Sequence, residues 1–530
     1  MNYPASVAGA PSRSLLIPHR PTIAIRCLAL ISVLLIAPML CSAIDDVTLP
    51  QTSPSININP NFGPPTTILG VAGSGFDPYA TVDVYFDSTH LARVVTTGAG
   101  VLGGTAFGGV AIQVPRSAIP GNHWITAVER LGSKAAQNRF LVRTDWAQFH
   151  FSPDHKGVNP YETMLSPTTV GDLRLSWTYQ ANNALEASPA IVNDVLYIAT
   201  TDVGCNSSGY LYALNADTGA LLWTSGTNNQ TPFTPAVADG LVFLHFSSNC
   251  FYQSLLYAYD ANTGALIWTQ QTNDREHGPI EFNSPFVANH TVFAAGEWNA
   301  VAFSTISGAE LWHNSIGGIS TSTGAVANGT AYFEAAVAES TVYAFDANSG
   351  EGGSMFQTQG DILSSALAIA NGMVYVGDND GNVYACCGAM SWIYGTGSWI
   401  ESSPAVANGV VYVGSDDGNL YALDANTGML IWQYPTGGGE ASPAVANGVV
   451  YVGSNNGNLY ALSAKTGALL WQYATGGPIY GSPAILNGML YIGSGDGNVY
   501  AFGLSNDLMS KKFSPPARPD PKLLVPGNSR

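Results

Sequence analysis

The sequence predicts an all-β chain in which an eight-bladed β-propeller follows a small β-sandwich. Gly (58 residues) and aromatic residues (11%) are abundant among the 530 residues, whereas charged residues make up only 10%. That composition is typical of short strands joined by tight turns. A sequence period of about 40 residues also runs from about residue 186 to residue 504. Each period holds four short strand-like segments and no helical pattern.

The first segment has the features of an export signal. Residues 1 to 26 carry three arginines and no acidic residue, an apolar run extends to Leu40, and Ala43 ends a stretch of small residues. This order predicts a cleavable secretory signal over residues 1–43. An uncleaved anchor is the alternative, although the run is shorter than the roughly 20 residues that a spanning helix needs. We therefore expect a secreted, periplasmic or cell-surface protein with no membrane span after cleavage.

The next segment, residues 44–143, predicts a β-sandwich. Alternating strands such as residues 81 to 86 are separated by Gly and Pro turns, for example at Pro120 and Gly121. The run from Gly73 to Pro78 resembles the start of a bacterial immunoglobulin-like domain. The resemblance implies a spacer or contact module at the cell surface.

One period is clearest at residues 403 to 434. It divides into Ser403 to Ala407 (strand A), the hairpin pair Asn408 and Gly409, Val410 to Gly414 (strand B), Leu420 to Asp424 (strand C) and Met429 to Tyr434 (strand D). Four antiparallel strands without a helix form one propeller blade. A single blade cannot bury both of its faces, so neighbouring blades must stack and the ring must close.

Landmarks along the chain predict eight blades. Strand A starts at Ser188, Thr234, Ser284, Thr323, Ser365, Ser403, Ser442 and Ser482. Strand D carries Trp177, Trp223, Trp268, Trp312, Phe356, Trp392, Trp432 and Trp471. The first strand D, Leu173 to Tyr179, precedes every strand A, and the last blade lacks one, so the N-terminal strand is predicted to complete the last blade. The propeller then spans residues 144–505, and a flexible Pro- and Lys-rich tail spans residues 506–530.

The spacing Ala-x-Asp/Asn-x-x-Thr-Gly-x-x-x-Trp recurs at residues 213 to 223, 258 to 268 and 422 to 432. It resembles the pyrroloquinoline quinone (PQQ) repeat. The resemblance implies a propeller in which the Gly serves the tight turn and the Trp docks between blades. The family includes PQQ- and Ca²⁺-dependent alcohol and sugar dehydrogenases and also non-catalytic propellers, among them a lipoprotein that assists outer-membrane protein assembly.

The charge distribution excludes one class of partner. The net charge is -18, and residues 144 to 510 contain 29 acidic but only four basic residues. Nucleic-acid binding depends on Lys and Arg that neutralise phosphates, so DNA and RNA are excluded as partners. A cationic ligand or a metal ion suits this region better.

Three glutamates form a candidate metal site. Glu186, Glu401 and Glu440 each lie three residues before the Pro of a strand A, and Tyr480 takes the same place in the last blade. Because the ring closes, these blades form one arc, and we expect the carboxylates at the mouth of the central channel. They offer oxygen ligands for Ca²⁺ or a cationic ligand. The alternative is that duplicated repeats have kept ordinary solvated glutamates.

Two loop features are further candidates. The loop at residues 269 to 283 is a candidate binding loop and gathers Asp274, Arg275, Glu276, His277 and Glu281. It is otherwise only a solvated surface loop. Cys205 and Cys250 occupy matching loops of adjacent blades, which predicts a disulfide in an oxidising compartment, with two free thiols as the alternative.

Cys386 and Cys387 are adjacent, and the family resemblance implies a disulfide that stacks on the quinone. In the family pattern that pair follows strand D, whereas here it aligns with the end of strand C, on the opposite face of the propeller. We therefore expect Cys386 to pack as a small apolar residue and Cys387 to cap the strand.

Two hypotheses of function follow. The first is an exported, non-catalytic binding or scaffolding propeller of the cell envelope that contacts protein or carbohydrate through its loops and channel mouth. The second is a PQQ- and Ca²⁺-dependent dehydrogenase acting on alcohols or sugars. No catalytic residue is assigned from the sequence, because no catalytic set of side chains is found.

Overall fold

The computed structural model describes residues 53 to 524 apart from 104–108, 201–208, 227–230, 249–252, 273–282, 337–339, 363, 389–390, 506–507 and 509–516. Nearly every element of the described chain is a β-strand. The prediction of an all-β chain is therefore confirmed. Among the described residues no helix is long and apolar enough to cross a membrane.

The first eight strands form two sheets that share one core. The strands are β1 (Ser55–Asn59), β2 (Phe62–Gly63), β3 (Ile68–Ser74), β4 (Thr81–Phe86), β5 (Thr89–Val95), β6 (Val110–Gln113), β7 (Gly121–Glu129) and β8 (Ala135–Val142). One sheet has the order β1-β3-β6 and the other has the order β2-β8-β7-β4-β5. Leu69 and Val71 of the first sheet and Val84, Ile125 and Phe140 of the second are buried in the same cluster.

The following strands belong to the repeats. After β9 (Val158–Asn159), a 3-10 turn (Val170–Asp172) and β10 (Leu173–Gln180), the first repeat has β11 (Ala190–Val192), β12 (Val195–Ala199), β13 (Tyr210–Asn215) and β14 (Leu221–Gly226). The second has β15 (Thr231–Pro232), β16 (Ala236–Ala238), β17 (Leu241–Ser248), β18 (Gln253–Asp260) and β19 (Leu266–Gln271). The third has β20 (Phe286–Ala288), β21 (Thr291–Ser304) and β22 (Glu310–Ile319), and the fourth has β23 (Ala325–Ala327), β24 (Thr330–Ala336), β25 (Ser340–Asp346) and β26 (Gly352–Gln357).

The later repeats are more regular. The fifth has β27 (Ala368–Ala370), β28 (Met373–Gly377), β29 (Asn382–Cys386) and β30 (Trp392–Gly395). The sixth has β31 (Ala405–Ala407), β32 (Val410–Gly414), β33 (Asn419–Asp424) and β34 (Leu430–Pro435), and the seventh has β35 (Ala444–Ala446), β36 (Val449–Val452), β37 (Asn458–Ser463) and β38 (Leu469–Ala474). The eighth has β39 (Ala484–Leu486), β40 (Met489–Gly493) and β41 (Asn498–Leu504). Asn408 and Gly409 both have positive φ (52° and 79°), as a two-residue type I′ hairpin turn requires.

The two ends of the repeat region pair with each other. Strand β10 runs antiparallel to β41, from Leu173 opposite Leu504 to Gln180 opposite Asn498. This ladder confirms the predicted completion of the last sheet by an N-terminal strand. Closure therefore rests on hydrogen bonds and packing rather than on a covalent link.

The third and fourth repeats differ from the others by sharing one seven-stranded sheet. The long strand β21 continues through the B and C positions, and Ile319 at the end of β22 pairs with Ala336 of β24. The small strand β9 adds to the sheet of the seventh repeat, parallel to its inner strand. The regular four-strand pattern therefore has local departures.

Six tryptophans of the outer strands bind the following repeat. The indole N–H groups of Trp177, Trp223, Trp268, Trp312, Trp392 and Trp432 donate to the carbonyl oxygens of Ala216, Ala261, Thr305, Ala347, Ala425 and Ala464 over 2.9–3.1 Å. Trp471 instead packs edge-on against Phe502 of the eighth repeat, at 5.1 Å between ring centres. Each contact joins one repeat to the next.

Candidate functional site in the central channel

A ring of hydroxyl groups surrounds the channel just before the inner strands. Each hydroxyl accepts a hydrogen bond from the backbone N–H of the equivalent residue one repeat earlier. The donor and acceptor pairs are Ser188–Thr234, Thr234–Ser284, Ser284–Thr323, Ala366–Ser403, Ser403–Ser442, Ser442–Ser482 and Ser482–Ser188, at 2.7–3.2 Å. The last pair closes the ring between the eighth and first repeats.

The ring is interrupted at one repeat. The predicted start of strand A at Ser365 is wrong by one residue, because Ala366 takes the equivalent position and donates its N–H to Ser403. Alanine has no hydroxyl, so Thr323 has no such acceptor in the next repeat. Ser365 instead accepts the N–H of Gly377 within its own sheet.

A segment of residues 146 to 159, here named the central segment, crosses all eight inner strands in order. Seven of these strands donate one N–H to it: Ile191 to Trp146 O, Val237 to Ala147 O, Val287 to Gln148 Oε1, Val326 to Pro153 O, Ile369 to Asp154 O, Val406 to Lys156 O and Val445 to Gly157 O, at 2.7–2.8 Å. The eighth contact is reversed, and Asn159 Nδ2 donates to Ile485 O. Because these contacts lie three residues further along each strand than the hydroxyl ring, the central segment closes one end of the channel.

The core of the central segment is aromatic. Phe149 stacks on His150 with 4.2 Å between ring centres, and His155 meets the edges of Phe149 and Phe286. Burial lowers the pKa of His150 to about 4 and that of His155 to about 3, so both are neutral at physiological pH. His150 Nδ1 lies 3.2 Å from the carbonyl oxygen of His155.

The open end of the channel holds an acidic cavity of about 370 Å³. The structure brings the three predicted glutamates together here. Its lining combines these carboxylates with the hydroxyl ring, Tyr480 and aromatic side chains: Phe149, Glu186, Ala187, Ser188, Phe233, Thr234, Ser284, Thr323, Ser364, Ala366, Glu401, Ser403, Glu440, Ser442, Tyr480 and Ser482. Phe149 belongs to the central segment, so the inner end of the cavity is apolar and its mouth is anionic.

The pKa of Glu440 reflects its burial and the two other glutamates of the cavity. Removal from bulk water raises the pKa of Glu440 to about 7, and repulsion from Glu401, Glu186 and Asp416 adds to the effect. Burial and Asp416 also raise the pKa of Glu401. The side chains of Glu186 and Glu440 remain accessible to solvent and that of Glu401 is half-buried, so a ligand can reach all three.

The described lining contains carboxylates but no Lys, Arg or His. Among the described residues no group of three or more His, Cys, Asp or Glu side chains is arranged to hold a metal ion. The three glutamates therefore share a cavity without forming a coordination shell, and calcium binding stays a prediction. The carboxylates of the cavity can bind a positively charged group that donates hydrogen bonds to them.

The other predicted sites lie outside the described residues, and one structural segment was not predicted. Cys205, Cys250 and the candidate binding loop with Asp274, Arg275, Glu276, His277 and Glu281 lie outside the described residues. Their disulfide and binding role stay predictions. The central segment was missed because its fourteen residues have no strand or helix period, and its cluster of Trp, Phe and His was the one signal that marked it.

Cys386 and Cys387 form a disulfide. Cys386 packs in an apolar cluster with Phe356, as expected, and Cys387 directly follows the last residue of β29 at a φ of 72°. The bond between the two side chains was not part of that prediction. The next residue, Gly388, lies against the A–B turn of this repeat, because a Cβ added to it would contact Met373 and the carbonyl oxygen of Gly372. The disulfide therefore lies at the opposite end of the sheet from the channel cavity, which is lined by Ser364 and Ala366 of the same repeat.

Comparisons with known proteins agree with this geometry. A family model described as outer membrane protein assembly factor BamB matches residues 168–331, 338–444 and 435–507. Among solved structures, a europium-containing methanol dehydrogenase is similar with a TM-score of 0.56 and 14% identity, covering 68% of this chain and 98% of its own. A quinohemoprotein alcohol dehydrogenase from Comamonas testosteroni has a TM-score of 0.55 and 14% identity, covering 71% of this chain and 82% of its own. No curated protein matches the chain in sequence.

The fold, the repeat and the hydroxyl-lined channel define a β-propeller of the PQQ-like repeat class. Because the matched ranges span more than half of the chain, it belongs to the family whose model is described as outer membrane protein assembly factor BamB. The structural relatives are only 14% identical to this chain, so they share its fold, and their activities are not transferred to it.

Proposed function

We propose that this chain is an exported, non-catalytic binding propeller of the cell envelope, with eight blades, whose channel cavity receives a cationic group of a protein partner. The family description supports a protein partner in the envelope. The acidic cavity supports the cationic chemistry. The comparisons give no support to carbohydrate, which we do not retain as the partner.

The observation that carries the proposal is the composition of the cavity. Burial and repulsion from Glu401 and Glu186 raise the pKa of Glu440 to about 7. A lysine or arginine side chain entering the mouth removes that repulsion and donates hydrogen bonds to the carboxylates. Phe149 at the inner end offers an apolar surface to the stem of such a side chain.

The domain order completes the proposal. Residues 1–43 are proposed as the signal peptide, 44–143 as an immunoglobulin-like spacer, 144–505 as the propeller and 506–530 as the tail. The proposed disulfide between Cys205 and Cys250 joins two loops of neighbouring blades. Peptide mapping without reductant detects it, and two alkylatable thiols in the native protein remove it.

The second candidate, a PQQ- and Ca²⁺-dependent dehydrogenase, is favoured by the fold of its structural relatives. PQQ bears three carboxylates of its own, whereas the described cavity lining offers three more and no Lys, Arg or His to balance them. The residues described do not fit this anionic cofactor, so no catalytic step is derived. Dye-linked oxidation of alcohols and sugars with added PQQ and Ca²⁺ tests the alternative, and turnover overturns the non-catalytic proposal.

Binding of trilysine, followed by calorimetry, tests the proposed cavity. We expect the E186Q/E401Q/E440Q variant to bind at least about tenfold more weakly, a loss of roughly 1.4 kcal/mol. The control E351Q removes one exposed carboxylate from a surface turn and should leave binding unchanged. Equal binding by the triple variant rejects the cavity as the site.

The pH dependence of the same titration is a separate prediction. Because the pKa of Glu440 is about 7, this carboxyl is protonated below pH 7 and the cavity then has less negative charge. Trilysine binding should therefore strengthen as the pH rises from 6 to 8, and E440Q should flatten that rise.

A calcium titration decides the metal prediction, since no binding tighter than millimolar rejects it.

A further inference from the structure

The C-terminal segment of residues 517 to 524 lies on the sandwich. These residues belong to the predicted tail and end in a short helix, α1 (Pro521–Leu524). They contact the outer face of the five-stranded sheet, on the side opposite its core. The face that they contact is formed by Tyr85 of β4, Trp124 of β7 and Gln137 of β8, and we name it the Trp124 face.

Three groups of the tail form hydrogen bonds at the Trp124 face, two backbone carbonyls and one arginine side chain. Gln137 Nε2 donates to Pro519 O over 2.9 Å, and Tyr85 Oη donates to Leu524 O over 2.7 Å. Two backbone carbonyls of the tail, five residues apart, therefore accept hydrogen bonds from the sandwich. The Arg518 Nε–H donates to Gln137 Oε1 over 2.6 Å. One amide side chain therefore binds both the backbone and the side chain of consecutive residues.

Trp124 makes this recognition selective for arginine. The Arg518 guanidinium lies 4.9 Å from the centre of the Trp124 ring, and Arg139 of the sandwich lies 5.2 Å from the same ring. A planar guanidinium can stack on an indole and donate in its own plane at the same time, which a lysine ammonium cannot do. Proline on both sides of Asp520 limits the backbone freedom lost when the segment binds.

We propose that the Trp124 face is a peptide-binding surface for proline-containing segments that carry an arginine, and that the tail of the same chain is its resident ligand in cis. This contact brings the C-terminal segment, which follows the propeller, back to the sandwich, which precedes it. Proline-rich segments commonly dock on aromatic surfaces in this way.

The test uses a chain that ends after Ser510 and a labelled peptide of residues 511 to 530. Fluorescence anisotropy should show saturable binding to the shortened chain. Binding to the full chain should be at least about tenfold weaker, because its own tail occupies the face. No binding to the shortened chain, or equal binding to both chains, overturns the proposal.

Two matched peptides separate arginine recognition from simple charge. The R518K peptide keeps the charge and should bind about tenfold more weakly, whereas the K522A peptide loses a charge at an exposed position and should bind as the parent does. Equal binding of the R518K and parent peptides overturns the assigned recognition. W124A and Q137A in the shortened chain should each weaken binding, and the exposed L131A is their control.

The cis arrangement has its own readout. Sedimentation of the full chain should give a monomer at every concentration tested. A dimer that R518K dissociates would place the tail on a second copy and overturn the cis assignment. All of these measurements are independent of ligand binding in the channel.

Discussion

Six glycines and six tryptophans form one contact that is repeated around the propeller. Gly219, Gly264, Gly308, Gly350, Gly428 and Gly467 have φ near 70°, and a Cβ added to any of them would lie 2.5–2.9 Å from the indole ring of the preceding repeat. Glycine is therefore required twice at each turn, for its backbone conformation and for the space that the ring occupies. The sequence marks this contact by a recurring Thr-Gly or Ser-Gly pair and a recurring Trp.

Substitution of one of these glycines tests the contact. In G467A the new methyl group would meet the Trp432 ring at 2.7 Å on a backbone with φ of 70°. We expect a loss of at least about 2 kcal/mol in the free energy of unfolding, measured by chemical denaturation. The control G353A has no atom within 4 Å of its added Cβ and should stay within about 0.5 kcal/mol of the parent. Equal losses in both would refute the steric argument.

The junction of the fourth and fifth repeats shows where residue patterns stop being predictive. Phe356 replaces the tryptophan, and it packs with Cys386 in one apolar cluster. The adjacent cysteines lie at the end of strand C, and the shortened turn that follows them lacks the usual Thr-Gly pair. Sequence position located this pair at the end of strand C, but bond formation depends on side-chain geometry that spacing alone does not specify.

Among the elements, the hairpins were predictable and the central segment was not. Each Asn-Gly turn lies between two alternating strands, so its type and register follow from adjacent residues. The central segment instead takes its hydrogen bonds from inner strands as distant as Val445, and its own pattern has no period. The conformation of the central segment therefore depends on contacts with distant strands, which the pattern of neighbouring residues in the sequence does not reveal.

Acid should weaken the central segment. The folded-state pKa values of His150 and His155 lie below the ordinary 6.5, so the unfolded chain takes up protons that the folded chain excludes. Their stabilisation is fully present above pH 6.5 and is lost as the pH falls towards 4, by up to about 1.4 kcal/mol per pH unit for each histidine. Buried Glu334, with a pKa of about 8, titrates in the opposite sense.

The variant H155F isolates this effect. Neither ring nitrogen of His155 has a hydrogen-bond partner in the described structure, and its neighbours Phe149 and Phe286 are aromatic. We expect stability at pH 7.5 within about 1 kcal/mol of the parent and a smaller loss between pH 6.5 and 4.5. Urea titrations across that range measure both quantities. A loss as steep as that of the parent would show that His155 does not contribute.

At the scale of the molecule, the ring depends on residues that precede it. The central segment holds all eight inner strands, and β10 supplies the outer strand of the last sheet. The sequence predicted the second contribution, because a strand D stood before any strand A. The docking of the tail on the sandwich was not predicted, since its proline-rich composition is shared by disordered segments.

Two shortened chains test this dependence. A chain of residues 144 to 505 should unfold in one cooperative thermal transition. A chain of residues 181 to 505 should lack that transition, because it has lost the central segment and the strand that pairs with β41. Scanning calorimetry distinguishes them. Similar transitions in both would show that the inner strands hold together without the N-terminal residues.

The pairing of β10 with β41 also sets the order in which the protein can mature. Leu173 finds its partner Leu504 only after more than three hundred further residues have been synthesised. Until the last strand has been synthesised, β10 has no partner and the ring of repeats cannot close. Under the export proposed above, a chain at that stage is still without its complete fold, as passage through a membrane translocon requires.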